Sequence, residues 1–274
     1  MLPLEKLTMF VTVARLENVS RAARVLHISQ SPLSRQLRAF EDAVGVELFT
    51  RERKRLRLTP AGRALLVEAT GLLEASAGVE RRVRAVASGA RHVTVGYVAG
   101  AVYAGALTRD LERLRRRSPA TTVELRTMRS MDQARALELG AIDVAYTYAP
   151  TPAGAGTLVA QEPFMVAAPR EPRGAPARRL LTSMPLVTLP ESTSARAQAE
   201  LLAACARIGV VPKIGIEATD PAVVLALVGA GLGVALVQAG LRAYAPRSVR
   251  FLRLPAAFGL DVKIYRLARN DELV

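Results

Sequence analysis

The sequence predicts a mixed architecture: an all-α start, one long connecting helix and an α/β remainder. Three observations carry this. Apolar residues recur at helical spacing from Leu4 to Val44, a seven-residue apolar repeat runs from Leu65 to Val86, and from Arg91 onward short apolar runs alternate with helical segments. The chain has 274 residues, half of them hydrophobic, which suffices for one large domain or two ordinary ones. Charged residues make up 23% and are not blocked together, which excludes global disorder.

The first helix is expected from Leu4 to Leu16, with Leu7, Phe10, Val11 and Ala14 on one face. Ser20 reads as the N-cap of a short second helix that turns Ala22, Ala23 and Leu26 inward, and Ile28 closes the turn. Ser29 reads as the next N-cap, with Pro32 in the first turn, where its missing N–H does little harm. Leu33, Leu37, Phe40 and Val44 then form a stripe, and Gly45 ends the helix. Once that stripe is buried, Ser31, Ser34, Arg35 and Arg38 point away from the core. Two helices with a short turn, the second exposing arginine, hydroxyl and amide groups, suit a helix-turn-helix. Arginine makes two bonds to guanine and glutamine two to adenine, and serine bonds phosphate or base. An ordinary solvated helix face is the plain alternative.

"LFTRERKRLRLT", Leu48 to Thr59, alternates and turns around Arg53 and Lys54. It predicts a hairpin with Leu56 and Leu58 inward and Arg55 and Arg57 outward. Beside a helix-turn-helix this is a wing, with its basic tip near phosphate or the minor groove. Thr59 caps a long helix from Pro60 to about Ser88. Leu65, Leu72, Val79 and Val86 recur every seven residues, and Ala69, Ser76 and Val83 fall between them, as in a coiled-coil seam. Such a helix spans roughly 43 Å at about 1.5 Å per residue. It implies a partner helix from a second subunit; packing on its own C-terminal region is the alternative.

From Arg91 the pattern gives strands at Val93–Val98, Thr122–Thr127, Asp143–Tyr148, Phe164–Ala168, Leu186–Leu189 and Lys213–Glu217. Helices are expected at Ala104–Arg117, Asp132–Leu139 and Ala195–Ile208. This is an α/β region with a mainly parallel sheet. "PREPRGAPARR", Pro169 to Arg179, reads as a surface loop. The uncharged run from Pro221 to Leu241 approaches membrane-spanning length, but reads as a buried helix, a glycine turn and a buried strand, Val234–Val237. Its glycines do not make a dinucleotide fingerprint, because Val234 stands where the third glycine is required and a helix precedes them.

The formal net charge of +14 favours polyanionic partners. One cysteine, Cys205, and two histidines, His27 and His92, leave no disulfide framework or Cys/His metal cluster within one chain. Cys205 reads as a small core residue, and His27 and His92 as structural or surface residues. No catalytic constellation can be assembled and no cofactor is implied, so an enzyme is disfavoured. "ESTSAR", Glu191 to Arg196, reads as a capped helix start. "MLPLEKLTMF" lacks a signal-peptide pattern, which predicts a cytoplasmic protein without a membrane partner.

Residues 4 to 66 carry a resemblance. "FVTVARLENVSRAARVLHISQSPLSRQLRAFEDAVGVELFTR", followed by "LTPAGRALL", is similar to the DNA-binding signature of the LysR-type transcriptional regulators of bacteria. "VTVGYVAGA", "LELGAIDVAYTY", "EPFMVAAP" and "VLALVGAGLGVALV" resemble the effector domain of that family. The resemblance implies a winged helix-turn-helix over residues 1–58, a dimerising linker helix over 59–90 and a regulatory domain over 91–274. That domain is implied to be of the periplasmic-binding-protein type. Its subdomain I would take about 91–160 and 262–274, and its subdomain II about 161–261.

The resemblance also implies promoter binding by a homodimer or homotetramer, a small-molecule effector, and RNA polymerase as a further partner. The implied DNA contacts fall on Gln30, Ser31, Pro32, Ser34, Arg35 and Arg38, with Arg51, Arg53 and Lys54 on the wing. The implied effector positions are Val98, Ala99, Gly100, Ala101, Thr127, Met128, Thr147, Thr193, Ser194 and Leu232. The dimer seam would hold Leu65, Ala69, Leu72, Val79, Val83 and Val86. Where the family commonly has serine or threonine after the first effector strand, this chain has Val98 to Ala101, which favours a mostly apolar effector, neutral or singly anionic. The chain ends soon after "DVKIYRLARNDELV", where the family usually adds a helix, so part of the first subdomain is expected to be exposed. A regulator that needs no effector is the runner-up, and a solute-binding protein the remote alternative.

Overall fold

The computed structural model describes residues 2–52, 55–87, 91–151, 154–171, 174–190 and 195–269, with the side chains of residues 51, 52 and 55 outside the description. Two compact units result. The first holds residues up to Val95 together with Ala120–Glu124 and Met131–Val144. The second holds Gly96–Pro119, Leu125–Ser130 and the chain from Ala145 on.

In the first unit α1 (Leu4–Leu16), α2 (Val19–Val25) and α3 (Gln30–Val44) enclose one apolar centre. The expected face of α1 is buried, and so are Met9 and Val13, because the long helix α4 (Pro60–Ala87) also packs on α1. Leu33, Leu37 and Phe40 of α3 are all exposed by 2% or less. The Phe10 ring lies 5.9 Å from Phe40 and 5.5 Å from Phe49, both tilted, a favourable arrangement of ring quadrupoles. Asn18, not Ser20, caps α2: its side chain accepts from the Arg21 N–H at 2.9 Å. Asparagine matches serine as a cap, and it stands one residue before the helix begins. The Ser20 hydroxyl instead donates to Gln30 Oε1 at 2.9 Å, across the turn into α3. His27 occupies the left-handed region in that turn, with φ 55°. Ser29 stands at the N-cap position of α3 without a side-chain cap bond, and Gly45 ends the helix with φ 80°.

β1 (Phe49–Glu52) and β2 (Arg55–Leu58) form the expected antiparallel hairpin, with Leu56 buried and Arg57 exposed. Its turn, Arg53 and Lys54, lies outside the described residues. Glu41 ties the hairpin to α3: Oε1 accepts from the N–H of Leu48 at 2.8 Å and of Phe49 at 3.0 Å. The Thr59 hydroxyl caps α4, accepting from the Gly62 N–H at 2.9 Å and donating to the Glu47 carbonyl at 2.8 Å. A Cβ at Gly62 would stand 2.1 Å from the Leu48 carbonyl oxygen, so glycine lets α4 start against the hairpin.

α4 does not present the whole of its heptad outward. Ala69 is fully buried in the core with α1, and Leu65 packs against that core. Leu72, Val79, Val83 and Val86 are exposed by 46% to 79%. A third face meets the chain's own later segment. Arg82 Nη1 donates to the Gly140 carbonyl at 2.9 Å, Arg81 Nε lies 3.1 Å from Glu124 Oε2, and Glu68 pairs with Arg135. Gly71 and Gly78 permit the approach, since a Cβ on either would stand 3.0 Å or less from Leu139 or Gly140.

The α/β region holds β3 (Arg91–Tyr97), α5 (Ala99–Tyr103), α6 (Ala106–Arg117), β4 (Thr121–Thr127), α7 (Ser130–Glu138), β5 (Val144–Thr147) and β6 (Thr157–Pro169). α8 (Ala177–Ser183), β7 (Leu186–Thr188), α9 (Ala195–Arg207), β8 (Ile214–Glu217), α10 (Pro221–Gly229), β9 (Ala235–Gln238), β10 (Val249–Arg253) and β11 (Asp261–Ala268) follow. Among the described residues one sheet runs β10-β6-β11-β5-β3-β4, with β9 also paired to β6. The ladders on β6 are antiparallel, and β7 and β8 form a parallel pair. β6 has 13 residues where a five-residue strand was expected. Residues Thr157–Pro163 pair with β11, and residues from Phe164 on pair with β9 and β10. Pro163 sits where the strand changes neighbours, a place where a missing N–H is tolerated. The Pro221–Leu241 run is a helix, a turn with Gly231 at φ 82°, and a strand. No helix among the described residues is long and apolar enough to cross a membrane. Cys205 is a fully buried core residue, and burial pushes its thiol up to about 11.

Replacing Glu41 with alanine should leave the Leu48 and Phe49 amides without their acceptor. Denaturant unfolding should show a loss of about 1–3 kcal/mol. Unchanged stability would mean the hairpin is held by apolar packing alone.

Candidate nucleic-acid interface and ligand cleft

α3 presents two chemically distinct faces. Opposite the buried stripe, Gln30, Ser31, Arg35 and Arg38 are exposed, while Pro32 and Ser34 are half-buried. Among the described residues neither Arg35 nor Arg38 is engaged by an internal acceptor, so both guanidinium forks are open to an outside one. Acids enter the helix only at Glu41 and Asp42, and Glu41 is turned to the hairpin. The Gln30 amide keeps its donor end, since its oxygen is taken by Ser20. Arg57 extends the basic surface onto the hairpin; Arg53, Lys54 and the side chain of Arg51 are outside the described residues.

The expected cleft residues gather at the ends of three strands of the second unit. The Val98 N–H donates to the Tyr146 carbonyl, and the Met128 N–H donates to the Tyr97 carbonyl, both at 3.0 Å. This sets Val98–Ala101, Thr127, Met128 and Thr147 side by side. β5 is fixed there by a buried acid: Tyr146 donates to Asp110 at 2.6 Å, and Arg266 lies 3.2 Å from the same carboxylate oxygen. Burial and this bond raise the Tyr146 pKa above its ordinary value. The Thr147 hydroxyl is committed to the Ala149 carbonyl at 2.6 Å, and Thr127 is exposed. Leu232 lies on the turn before β9, half exposed, and none of these bonds includes it. Thr193 and Ser194 are outside the described residues.

Tyr148, exposed by 47%, lies across this end with its hydroxyl turned to Gly100. The Gly100 N–H donates to its hydroxyl oxygen at 3.1 Å, and Ser130 accepts from its backbone N–H, also at 3.1 Å. Gln238 Nε2 donates to the Gly100 carbonyl and to Glu162, and Glu162 accepts from the Gly240 N–H as well, all at 3.1 Å. A Cβ at Gly100 would lie 2.6 Å from the Tyr148 ring and 2.8 Å from Gln238 Oε1. Tyr103 packs edge-on against Tyr244 at 5.6 Å. Burial raises the pKa of both Tyr103 and Tyr148; the nearby Asp220 carboxylate adds to the first, and the Gly100 N–H works against the second. A cavity of about 580 Å³ lies elsewhere, at the point where β6 changes partners, lined by Gln161, Phe164, Leu254, Phe258 and Lys263 among others.

The lysR-family profile of bacterial regulatory helix-turn-helix proteins matches residues 4–63, and the LysR substrate-binding domain profile matches residues 87–273. The chain belongs to the LysR family. It is a LysR-type transcriptional regulator, with a helix-turn-helix segment followed by an α/β domain of the substrate-binding class. It is 33% identical to the transcriptional regulator TfdS of Cupriavidus pinatubonensis over 92% of this chain and 88% of that protein. It is 32% identical to the Hca operon transcriptional activator HcaR of Escherichia coli, over 85% of this chain and 81% of that one. The solved structure of CbnR, a LysR family transcriptional regulator, covers all of this chain and 94% of its own at 28% identity, with a TM-score of 0.77. CbnR in complex with its target DNA gives 0.71, at 28% identity over 97% of this chain and 92% of that one.

Sequence reasoning missed Tyr148, Gln238, Glu162, Tyr103 and Tyr244, which the structure of this LysR chain links by bonds and ring contacts beside these strand ends. Gln238 had a signal: it is the single polar side chain in the run Pro221–Leu241. An amide in an apolar run is buried and must find partners, and it is only 7% exposed. Gln238→Leu should leave the Gly100 carbonyl with the Ala104 N–H alone and loosen Glu162, lowering stability by roughly 1–3 kcal/mol in thermal or denaturant unfolding. An unchanged midpoint would mean that water replaces the amide without cost.

Proposed function

We propose that this LysR-type regulator acts in the cytoplasm and binds promoter DNA sequence-specifically as a homodimer. In this reading α3 enters the major groove, the hairpin lies along the backbone, and a small-molecule effector in the strand-end cleft modulates the outcome. The single observation that carries it is the α3 face: Arg35 and Arg38 without internal acceptors among the described residues, beside Ser31 and Gln30, opposite Leu33, Leu37 and Phe40, each exposed by 2% or less. Two unengaged guanidinium groups one turn apart on α3 can be received by guanine edges and phosphates. The net charge of +14 supplies the long-range attraction. CbnR, to which the chain is similar along its length, has been solved with its target DNA, and that supports the same role for this α3. The exposed stripe Leu72, Val79, Val83 and Val86 is the proposed seam with a second α4. An effector-independent regulator is the second reading. One observation favours it: both backbone groups of Gly100 are already satisfied from within the chain.

Arg35→Ala should cost about 1–3 kcal/mol on the operator, measured by fluorescence anisotropy on a duplex footprinted in the DNA flanking the gene. An equal loss on random duplex would reduce Arg35 to a phosphate contact. The oligomer is tested separately. Leu72→Asp puts a charge on the proposed seam and should sediment as a monomer with much weaker operator binding, because one half-site is left per molecule. An intact dimer would remove α4 from the interface.

A further inference from the structure

We propose that Tyr148 is the specificity-determining residue of the cleft: its phenol fills the seat of the effector's polar head, and the cleft takes a neutral, hydroxyl-bearing aromatic molecule that displaces it. This rests on the reading of the strand-end cleft as the effector site. The seat is defined by what Tyr148 does in it. Its hydroxyl oxygen accepts the Gly100 N–H at 3.1 Å, while the other backbone group of Gly100 is held by Gln238. A ligand oxygen that takes this place inherits one donor, the Gly100 N–H.

The surroundings select the rest of the molecule. Tyr103 and Tyr244 meet edge to face, and Tyr103 lies near enough to Tyr148 to disfavour its ionisation. Gly240 brings its backbone against the Tyr103 carbonyl, where a Cβ would stand 2.1 Å away, so the aromatic group and the Gln238–Glu162 bonds form one continuous surface. Such neighbours favour a flat ring packed against them. The charged groups at this surface are Glu162 and Asp220, both acidic, and no described cation acts on either phenol. Among the described residues a carboxylate would therefore be partly desolvated near acids with the Gly100 N–H alone to receive it, which is costly. A neutral phenol meets no such opposition.

Gly100 and Tyr148 make one exchange. A side chain at position 100 would lie 2.6 Å from the ring, so a serine there, with its own hydroxyl for the ligand, requires the ring to leave. This chain has the ring and the glycine. It carries its hydroxyl on an aromatic arm, and a ligand of the same shape competes with that arm.

The test uses the full-length protein, with 4-ethylphenol, benzoate and succinate as probes in thermal-shift and calorimetric titrations. Wild type should be stabilised by 4-ethylphenol and not by the two acids. Tyr148→Ala, with the seat vacated, should bind 4-ethylphenol at least about ten-fold more tightly, because no arm has to be expelled. Should Tyr148→Ala fail to show a cooperative unfolding transition, Tyr148→Phe replaces it; without its hydroxyl the arm loses its bond to the Gly100 N–H, and the variant should bind the phenol more tightly than wild type. Binding of benzoate or succinate as tight as the phenol overturns the proposal. So does a folded variant whose phenol affinity equals that of wild type, or a wild type blind to the phenol. Operator binding by the wild type is measured on the same sample. Its loss would count against the regulator reading alone, and its retention without phenol binding would count against this inference alone.

Discussion

The long helix α4 has to hide apolar side chains along 28 residues, and no single partner surface is long enough to do it. Its solution is to divide its circumference. Ala69 and its neighbours go into the core with α1; Gly71 and Gly78 let the next face close on Leu139 and Gly140; Leu72, Val79, Val83 and Val86 remain outside. The middle contact is glycine and charge rather than leucine. Arg81, Arg82 and Glu68 supply it through Glu124, the Gly140 carbonyl and Arg135. Ion pairs that are partly exposed contribute little to stability and respond to salt, so this face is the one that gives way most easily. A connecting helix held firmly at its start and lightly along its middle suits a regulator whose two ends must influence each other.

The same economy governs the α/β region. Buried polar atoms there are placed in closed sets. Asp110 takes Tyr146 and Arg266, and Glu162 takes Gln238 and Gly240. Losing one member weakens the remaining bonds of its set, because the charged atom at its centre is buried or half-buried and is shared among several partners. The strand ends at Val98, Met128 and Thr147 are positioned by these sets and by backbone bonds, and the Tyr148 hydroxyl adds a bond to Gly100.

The N-terminal helices were legible because one rule governs them. Burial of Leu33, Leu37 and Phe40 leaves Arg35 and Arg38 outside, and local spacing alone says so. The cap of α2 was misplaced by two residues because asparagine and serine serve equally well and only geometry chooses between them. Ala69 fits a heptad as well as it fits a core, so its direction depends on α1, far away in sequence. β6 was half seen, since a proline and two polar residues interrupt its pattern; β10 and β11, which pair with it, were not read at all. Their pairing is a tertiary fact. Tyr148 was passed over for a similar reason: its meaning lies in Gly100, 48 residues earlier.

The most direct measurement of the central account is a selection from a randomised duplex pool with the purified full-length protein, followed by sequencing of the retained DNA. If two copies joined along α4 each present one α3, the enriched sequence is an inverted repeat. Its half-sites are set about ten base pairs apart, or a multiple of that, on one face of the duplex. A pool without enrichment, or one converging on a single sequence with no dyad, would contradict the account.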